Sequence, residues 1–257
     1  AQAEALMRLA VQLAVEARDA FWAEWQAQPD AARRASRARP LVAASIGPYG
    51  AMCADGSEYR GYADRPEVDE AALMAFHRPR LRVLAQAGAD LLACETLPCL
   101  AEARALARLL DELADGLPAR VNGVAVTRDA WISFSCRDGA HTSAGDVWAD
   151  CVQALAGFRQ VAAIGVNCTA PQHVESLVAI AAAHARQPIL VYPNAGETYD
   201  AHAKRWHANA DPALHNAPFA DQALRWAQAG ARLIGGCCRT TPADIGALAQ
   251  RWRRDMT

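Results

Sequence analysis

The chain has 257 residues, of which 53% are hydrophobic and 21% charged, and its formal net charge is -2. That composition supports one large core or two modest ones; no basic run is dense enough to suggest nucleic acid, and no apolar run approaches the ~18 residues of a membrane span. No signal-peptide pattern opens the chain, and its eight cysteines are too sparse for a disulfide scaffold, so we expect a cytoplasmic protein with reduced thiols.

Helices and short apolar strands alternate along the chain. Apolar residues at helical spacing predict a first helix over 2–27, and residues 51–66 and 115–128 read as irregular or loop segments. The predicted strands are 41–46, 91–94, 131–135, 161–166, 189–192 and 232–235. The predicted helices that follow them end near 86 or span 99–114, 146–157, 172–185, 219–229 and 242–253.

Six strand–helix alternations are typical of a parallel sheet with crossover helices. Residues 86–92 resemble residues 228–234, and in both a glycine would end a helix before an apolar strand. This repeat, and the lack of a Gly-x-Gly-x-x-Gly phosphate loop, favour an α/β fold of the (β/α)8 TIM barrel type, as a single domain over 1–257. Because only six strands are found, we expect the first strand–helix–strand piece of the barrel to be absent from the chain; the alternative is an open sheet.

Strand exits are the candidate site positions, because barrel enzymes build their sites at the carboxyl ends of the strands. The residues at these exits are Gly47-Pro48-Tyr49, Glu95-Thr96, Ser135-Cys136, Asn167-Cys168, Pro193-Asn194 and Cys237-Cys238.

Three cysteines at two exits predict a metal site. Adjacent Cys237 and Cys238 can converge on one centre only if the backbone leaves the pleat, which Gly235 and Gly236 permit. With Cys168 they offer three thiolates and no obvious fourth protein ligand, the pattern of a catalytic zinc site with an open position. The alternative for the adjacent pair is a strained vicinal disulfide.

The other cysteines at strands and helices have a simpler interpretation. We interpret Cys94, Cys99 and Cys151 as core residues, since cysteine is among the most buried residue types, and Cys136 as a non-ligand.

The motifs resemble those of the homocysteine S-methyltransferase family. They are Gly-Pro-Tyr-Gly at 47–50, Glu-Thr at 95–96, Gly-Val-Asn-Cys at 165–168, Tyr-Pro-Asn-Ala-Gly at 192–196 and Gly-Gly-Cys-Cys at 235–238. The resemblance implies a zinc-dependent barrel that methylates homocysteine to methionine, with Cys168, Cys237 and Cys238 as zinc ligands and Glu95 holding the amino group of the substrate. Zinc deprotonates a coordinated thiol, so no general base is needed for the transfer.

The remaining exit residues are expected to line the substrate pocket: Tyr49, Thr96, Ser135, Asn167 and Asn194. An aromatic side chain such as Tyr49 could also contact a cationic donor through its ring face. The expected partners are homocysteine and a small sulfonium donor, S-methylmethionine first, in a monomer or small homo-oligomer that binds neither nucleic acid nor membrane. S-adenosylmethionine, betaine or another donor remain alternatives, as does a non-catalytic zinc- or thiol-binding module.

Overall fold

The structure is a computed structural model, and it describes residues 2–200, 203, 205–207 and 218–255. Ten strands are present in these described residues. The strands are β1 Ala43–Ile46, β2 Leu91–Leu97, β3 Arg120–Val121, β4 Val124–Ala125, β5 Ala130–Phe134, β6 Val161–Asn167, β7 Ile189–Tyr192, β8 Thr198–Asp200, β9 Arg205–His207 and β10 Ala231–Ile234. Six of them form one parallel sheet in the order β1-β2-β5-β6-β7-β10. These are the six predicted strands.

The helices lie on one side of that sheet. They are α1 Gln2–Gln26, α2 Ala31–Ala35, α3 Tyr49–Cys53, α4 Glu70–Ala85, α5 Leu100–Gly116, α6 Trp148–Leu155, α7 Pro171–His184, α8 Phe219–Ala229 and α9 Pro242–Asp255. From α4 onwards each helix contacts the next, and α1 packs beside α4. A doubly wound sheet would divide consecutive helices between two faces, so the winding is the one-sided kind found in barrels. Within the described residues, β1 and β10 are the edges of the sheet.

The two faces of the sheet differ in chemistry. One row of paired residues, Ile46, Cys94, Ile132 and Ile164, is fully buried in the main hydrophobic core under the helices. Side chains alternate between faces along a strand. The opposite face therefore carries the intervening residues, several of them polar, and it is the face on which a site can be built.

Glycines serve the fold at three positions where other residues would not fit. Gly88 and Gly230, the two glycines of the repeat, have φ of 91° and 129°, a conformation that glycine adopts without strain. At Gly165, a Cβ atom would lie 1.7 Å from the carbonyl oxygen of Leu190, so β6 and β7 reach their spacing only because that side chain is missing.

The structure differs from the sequence-based expectation in three connecting segments. The stretch 51–66 is not irregular throughout, since it includes the end of α3 and a 3-10 helix, Ser57–Tyr59, whose first turn is supported by a hydrogen bond from Ser57 N to Asp55. The segment 115–128 contains the antiparallel pair β3-β4. A second pair, β8-β9, lies in the segment after β7.

None of the helices in these described residues combines the length and the apolar character needed to cross a bilayer.

Candidate metal and substrate site

Three cysteine sulfurs meet at the carboxyl ends of β6 and β10. Cys168 Sγ lies 2.8 Å from Cys237 Sγ and 3.8 Å from Cys238 Sγ, and the latter two are 3.9 Å apart. We call these three residues the sulfur group. A tetrahedral zinc with bonds of about 2.3 Å separates its sulfurs by about 3.8 Å, so two of the three distances already match. The third exceeds a disulfide bond of about 2.05 Å and would have to widen by about 1 Å.

The turn after β6 directs Cys168 into this group. Cys168 has φ of 47°, a left-handed conformation that is uncommon for a residue with a side chain. The neighbouring Thr169 fixes the turn, because its hydroxyl donates to the Asn167 carbonyl and accepts from Cys136 N–H. A strained residue held so firmly is typical of a functional site.

The Cys237–Cys238 segment is held by the loop that follows β7. Cys237 N–H donates to the Pro193 carbonyl at 2.8 Å, and the Cys238 carbonyl accepts from Ala195 N–H at 3.1 Å. These reciprocal backbone bonds position the adjacent cysteines after the strand has ended at Ile234.

The backbone leaves the pleat at the two glycines before the cysteines, since β10 ends at Ile234. Neither Gly235 nor Gly236 has a positive φ. Gly236 is needed for space instead, because a Cβ there would lie 2.3 Å from the hydroxyl of Thr240. That hydroxyl donates to the Cys237 carbonyl, so the close approach helps to hold the first cysteine of the pair.

The sulfur group favours negative charge. Hydrogen bonds from Cys168 and then Cys237 lower the pKa of the Cys238 thiol to about 3, while the contact with Cys237 raises the pKa of Cys168. The close contacts among the three thiols therefore favour the thiolate form at Cys238. A thiolate is the form in which cysteine binds metals, so the donor set fits zinc.

The other cysteines lie outside this group. Cys94, Cys99, Cys136 and Cys151 are all buried, and burial raises the pKa of Cys94 and of Cys99 to about 12. All eight cysteines of the sequence fall in described residues, and all are free. Among those residues the sulfur group is the one cluster of three or more potential ligands.

Asn167 links the sulfur group to β2. Its side-chain oxygen accepts from Thr96 N–H and from the Ser133 hydroxyl, both at 2.8 Å, and its amide nitrogen donates to the Thr96 hydroxyl at 2.8 Å. Thr96 has φ of 61°, and the register between β2 and β5 shifts between Cys94 and Leu97. Glu95 and Thr96 thus lie within a strand that continues to Leu97, rather than just after it as predicted.

Glu95 lies on the polar face of the sheet, where residues of β1 and β7 hold its carboxylate. Ser45 donates to one oxygen and Tyr192 to the other, the latter at 3.0 Å. Tyr192 also accepts from Trp131 Nε1–H at 2.9 Å and lies 2.6 Å from the Ser133 hydroxyl. Burial, followed by the charge of Glu95, raises the pKa of Tyr192, so it stays a hydrogen-bond donor.

The structure distributes the other predicted pocket residues more widely. The Ser135 hydroxyl donates to the Glu58 carbonyl and accepts from Ser143. Asn194 is buried, and its side-chain oxygen has no hydrogen-bond partner in the described part of the chain, so it can accept a bond from a ligand.

Tyr49 belongs to an aromatic group on the helix side of the β1 exit. Its ring makes edge contacts with Tyr62 and Phe76, with ring centroids 5.6 and 5.1 Å apart. Contact between Tyr49 and a substrate thus remains a prediction.

Two tyrosines near the site were missed from the sequence. Tyr192 reads as part of an apolar strand, and Tyr59 lies in the stretch predicted as irregular. Burial, followed by the charges of Cys168 and Cys238, raises the pKa of Tyr59. A tyrosine one residue before the Pro-Asn exit of β7 is the signal that could have identified Tyr192.

A second polar cluster lies under the exit of β1. The Glu102 carboxylate, fully buried, accepts from Tyr49 N–H at 2.6 Å and from the Tyr62 hydroxyl at 2.7 Å, and it contacts His77 Nε2 at 2.8 Å. Arg80 contacts the other nitrogen of His77 and donates to the Gly47 carbonyl. We call these residues, Glu102, His77, Tyr62 and Arg80, the carboxylate cluster; the sequence analysis did not identify it.

Comparison with known proteins places this geometry in a family. The family model described as homocysteine S-methyltransferase matches residues 1–252. The chain belongs to the homocysteine S-methyltransferase family. It is therefore a methyltransferase, and the resemblance stated from its motifs is confirmed.

Individual relatives agree with this assignment. Homocysteine S-methyltransferase YbgG of Bacillus subtilis is 47% identical over 257 residues, which is 100% of this chain and 73% of the relative. Homocysteine S-methyltransferase of Escherichia coli is 48% identical, over 98% of this chain and 72% of the relative. Selenocysteine Se-methyltransferase of Brassica oleracea var. italica is 41% identical, over 97% and 68%.

Solved structures agree as well. The crystal structure of the metallated form of homocysteine methyltransferase MmuM from Escherichia coli superimposes with a TM-score of 0.75 at 42% identity, covering 97% of this chain and 71% of that one. This supports a mixed α/β fold with a parallel sheet, consistent with a TIM-barrel-type methyltransferase.

Proposed function

We propose that the chain transfers a methyl group from S-methylmethionine to the thiol of homocysteine, with zinc held by Cys168, Cys237 and Cys238. The observation that carries the proposal is the meeting of three sulfurs, all within 3.9 Å of one another, at strand exits. Glu95, held on the same face of the sheet, supplies a carboxylate for the amino group of an amino-acid substrate.

Two parts of the acceptor, its thiol and its ammonium group, match groups on the chain. Cys168, Cys237 and Cys238 would hold zinc, which would supply a Lewis acid that lowers the pKa of an incoming thiol. Glu95 pairs with the substrate ammonium, and Asn194 offers a buried oxygen without a partner. Thr96, Asn167 and Ser135 line the same strand ends and keep these groups in place. Tyr49 lies just after β1, at the start of α3, and is proposed to line the pocket from there.

The charge of the site selects the class of donor. Three cysteine thiolates carry three negative charges, and a fourth thiolate from the substrate leaves a net excess of negative charge around a divalent ion. A cationic sulfonium is attracted to such a site, whereas a neutral donor is not. The acceptor sulfur attacks the methyl carbon, the bond from that carbon to the sulfonium sulfur breaks, and its electrons stay on the donor, which leaves as a neutral thioether. With S-methylmethionine both products are methionine.

A donor panel tests the proposal. Protein loaded with zinc, its metal content measured by mass spectrometry, is incubated with homocysteine and with S-methylmethionine, S-adenosylmethionine or betaine, and methionine is quantified. We expect about one zinc per chain and the highest kcat/KM with S-methylmethionine. A higher kcat/KM with betaine would contradict the sulfonium donor, and methyl transfer undiminished after complete removal of zinc would contradict the metal.

We also propose that the six parallel strands are six of the eight strand–helix units of a (β/α)8 barrel, forming one domain. The one-sided winding of the helices and the similarity to MmuM support this. A cytoplasmic location with reduced thiols is proposed on the eight free cysteines. Light scattering would test the expected monomer or small homo-oligomer.

A further inference from the structure

The hydroxyl groups of Tyr192 and Ser133, near Glu95, have fewer protons to donate than there are oxygen acceptors around them. Tyr192 and Ser133 contribute one hydroxyl proton each. The oxygens within reach are those of Glu95 and Asn167 and the two hydroxyls themselves, at 2.6 to 3.0 Å. Trp131 Nε1–H can only donate, so the Tyr192 oxygen is an acceptor on that side.

Two proton arrangements are compatible with these contacts, and each leaves one of the three contacts without a proton. In the first, Tyr192 donates to Glu95, which leaves the carboxylate held from both oxygens because Ser45 donates to the other one. In the second, Tyr192 donates to Ser133 and Ser133 donates to Asn167, which frees one Glu95 oxygen for another donor. An ammonium group can still bind in the first arrangement, because a carboxylate has about four acceptor positions, so the first arrangement holds Glu95 in place in an occupied site as well.

The contacts continue to the turn that carries the first metal ligand. Asn167 directly precedes Cys168, and its carbonyl is held by Thr169. The register pairs Asn167 with Tyr192 on adjacent strands. A hydrogen-bonded path therefore runs from Glu95 through Tyr192 and Ser133 to the residue next to the sulfur group.

We propose that Tyr192 is a positioning residue: it holds Glu95 ready for the ammonium of the amino-acid thiol and ties that carboxylate, through Ser133 and Asn167, to the turn of Cys168. This inference rests on the proposed role of Glu95 in substrate binding. It predicts that the Tyr192 hydroxyl matters for thiols that carry an amino group and not for thiols that lack one.

The test compares two thiols and two tyrosines. Tyr192→Phe removes the hydroxyl and keeps the ring that packs on Trp131 at 6.0 Å. Affinities of zinc-loaded protein for homocysteine and for 4-mercaptobutyrate, which lacks only the amino group, are measured by titration calorimetry, with kcat and KM measured alongside. Tyr62→Phe is the matched control, because it removes an equivalent hydrogen bond from tyrosine to glutamate in the carboxylate cluster.

We expect Tyr192→Phe to weaken homocysteine binding roughly ten-fold or more, as for one hydrogen bond to a charged group. Most of the effect should be in KM, with kcat and zinc content little changed. Binding of 4-mercaptobutyrate should be the same in both proteins. Tyr62→Phe should leave both affinities unchanged, and adding Tyr192→Phe to Glu95→Gln should cost nothing beyond Glu95→Gln alone.

Other outcomes overturn the inference in distinguishable ways. Equal weakening of both thiols would make Tyr192 a packing residue, and no weakening of either would show that its hydroxyl is dispensable; both leave Glu95 as the amino-group site if Glu95→Gln still weakens homocysteine selectively. If Glu95→Gln has no selective effect, or wild-type protein binds both thiols equally, the proposed role of Glu95 fails and the inference fails with it.

Discussion

The sulfur group and the carboxylate cluster are two groups of polar side chains near strand exits, the first at β6 and β10 and the second at β1. They differ in how many of their hydrogen bonds are made within the protein. In the carboxylate cluster both oxygens of Glu102 have partners, and Glu102 and His77 are fully buried, although Arg80 Nε has no hydrogen-bond partner among the described residues. In the sulfur group the three half-buried thiols have mainly one another as partners.

This difference separates structural from functional polar groups. A buried charge whose hydrogen bonds are all made within the protein stabilises one conformation and has no capacity left for a ligand. Three sulfurs in close contact, with few other partners, are stabilised most by an external cation. The comparison predicts that damage to the sulfur group removes activity at little cost in stability, and that damage to the carboxylate cluster does the reverse.

The largest expected effect is on activity, from Cys238→Ala. Losing one of three metal ligands should abolish stoichiometric zinc binding and reduce methyl transfer roughly thousand-fold or more, because several kcal/mol of stabilisation by the metal is lost. Metal analysis and a methionine assay measure both effects. Cys151→Ala, on the buried face of α6, is the control and should retain zinc. Full zinc content and activity in Cys238→Ala would refute the metal site.

The next effect is on stability, from Glu102→Ala. The variant leaves Tyr49 N–H and the Tyr62 hydroxyl without their buried acceptor, so the free energy of unfolding should fall by about 3–5 kcal/mol. Urea unfolding measures the change. Glu112→Ala, an exposed glutamate of the same helix paired with Arg78, should cost less than about 1 kcal/mol. Equal losses in the two variants would show that the cluster does not stabilise the fold.

A smaller effect is expected from crowding the turn before the cysteines. Gly236→Ala places a methyl group against Thr240, which displaces Cys237 and should weaken zinc binding roughly ten-fold. Chelator competition gives the affinity. Gly246→Ala, where a Cβ meets nothing within 4 Å, is the control, and adding Thr240→Gly to Gly236→Ala should restore part of the loss. Unchanged affinity in Gly236→Ala would mean that the turn adapts freely.

The smallest effect should come from the ion pair beside the sulfur group. Arg239 contacts both carboxylate oxygens of Glu197 at 2.7 and 3.0 Å, but more than half of the arginine side chain is exposed. Glu197→Gln should therefore lower the free energy of unfolding by less than about 1 kcal/mol, and less still at high salt. Urea unfolding at two salt concentrations measures this. A loss as large as that of Glu102→Ala would erase the distinction between exposed and buried pairs.

The sequence predicted the sheet and the sulfur group well for a common reason. Short apolar strands between amphipathic helices indicate a parallel sheet, and parallel strands bring their exits to one edge. Cys168, Cys237 and Cys238 could therefore be placed together without knowing any distance.

Other features depend on contacts between distant segments, which local patterns do not reveal. Glu102 reads as a surface residue of a helix, and its burial requires Tyr49, Tyr62 and His77 from other segments. The left-handed Thr96 that shifts the register of β2 has no signature in its residue type. Tyr192 reads as an ordinary residue of an apolar strand, because its hydroxyl forms hydrogen bonds, within the described residues, only with residues of the distant strands β2 and β5.

The separation of the metal-binding cysteines along the chain has a consequence for folding. Cys168 and Cys237 are 69 positions apart, and the strand β7 with helices α7 and α8 lies between them. An ion held by these sulfurs closes that span into a loop and ties the last third of the chain together, as a cross-link does. Such an ion would also stabilise the fold, and we expect its removal by a chelator to lower the melting temperature as well as to end methyl transfer.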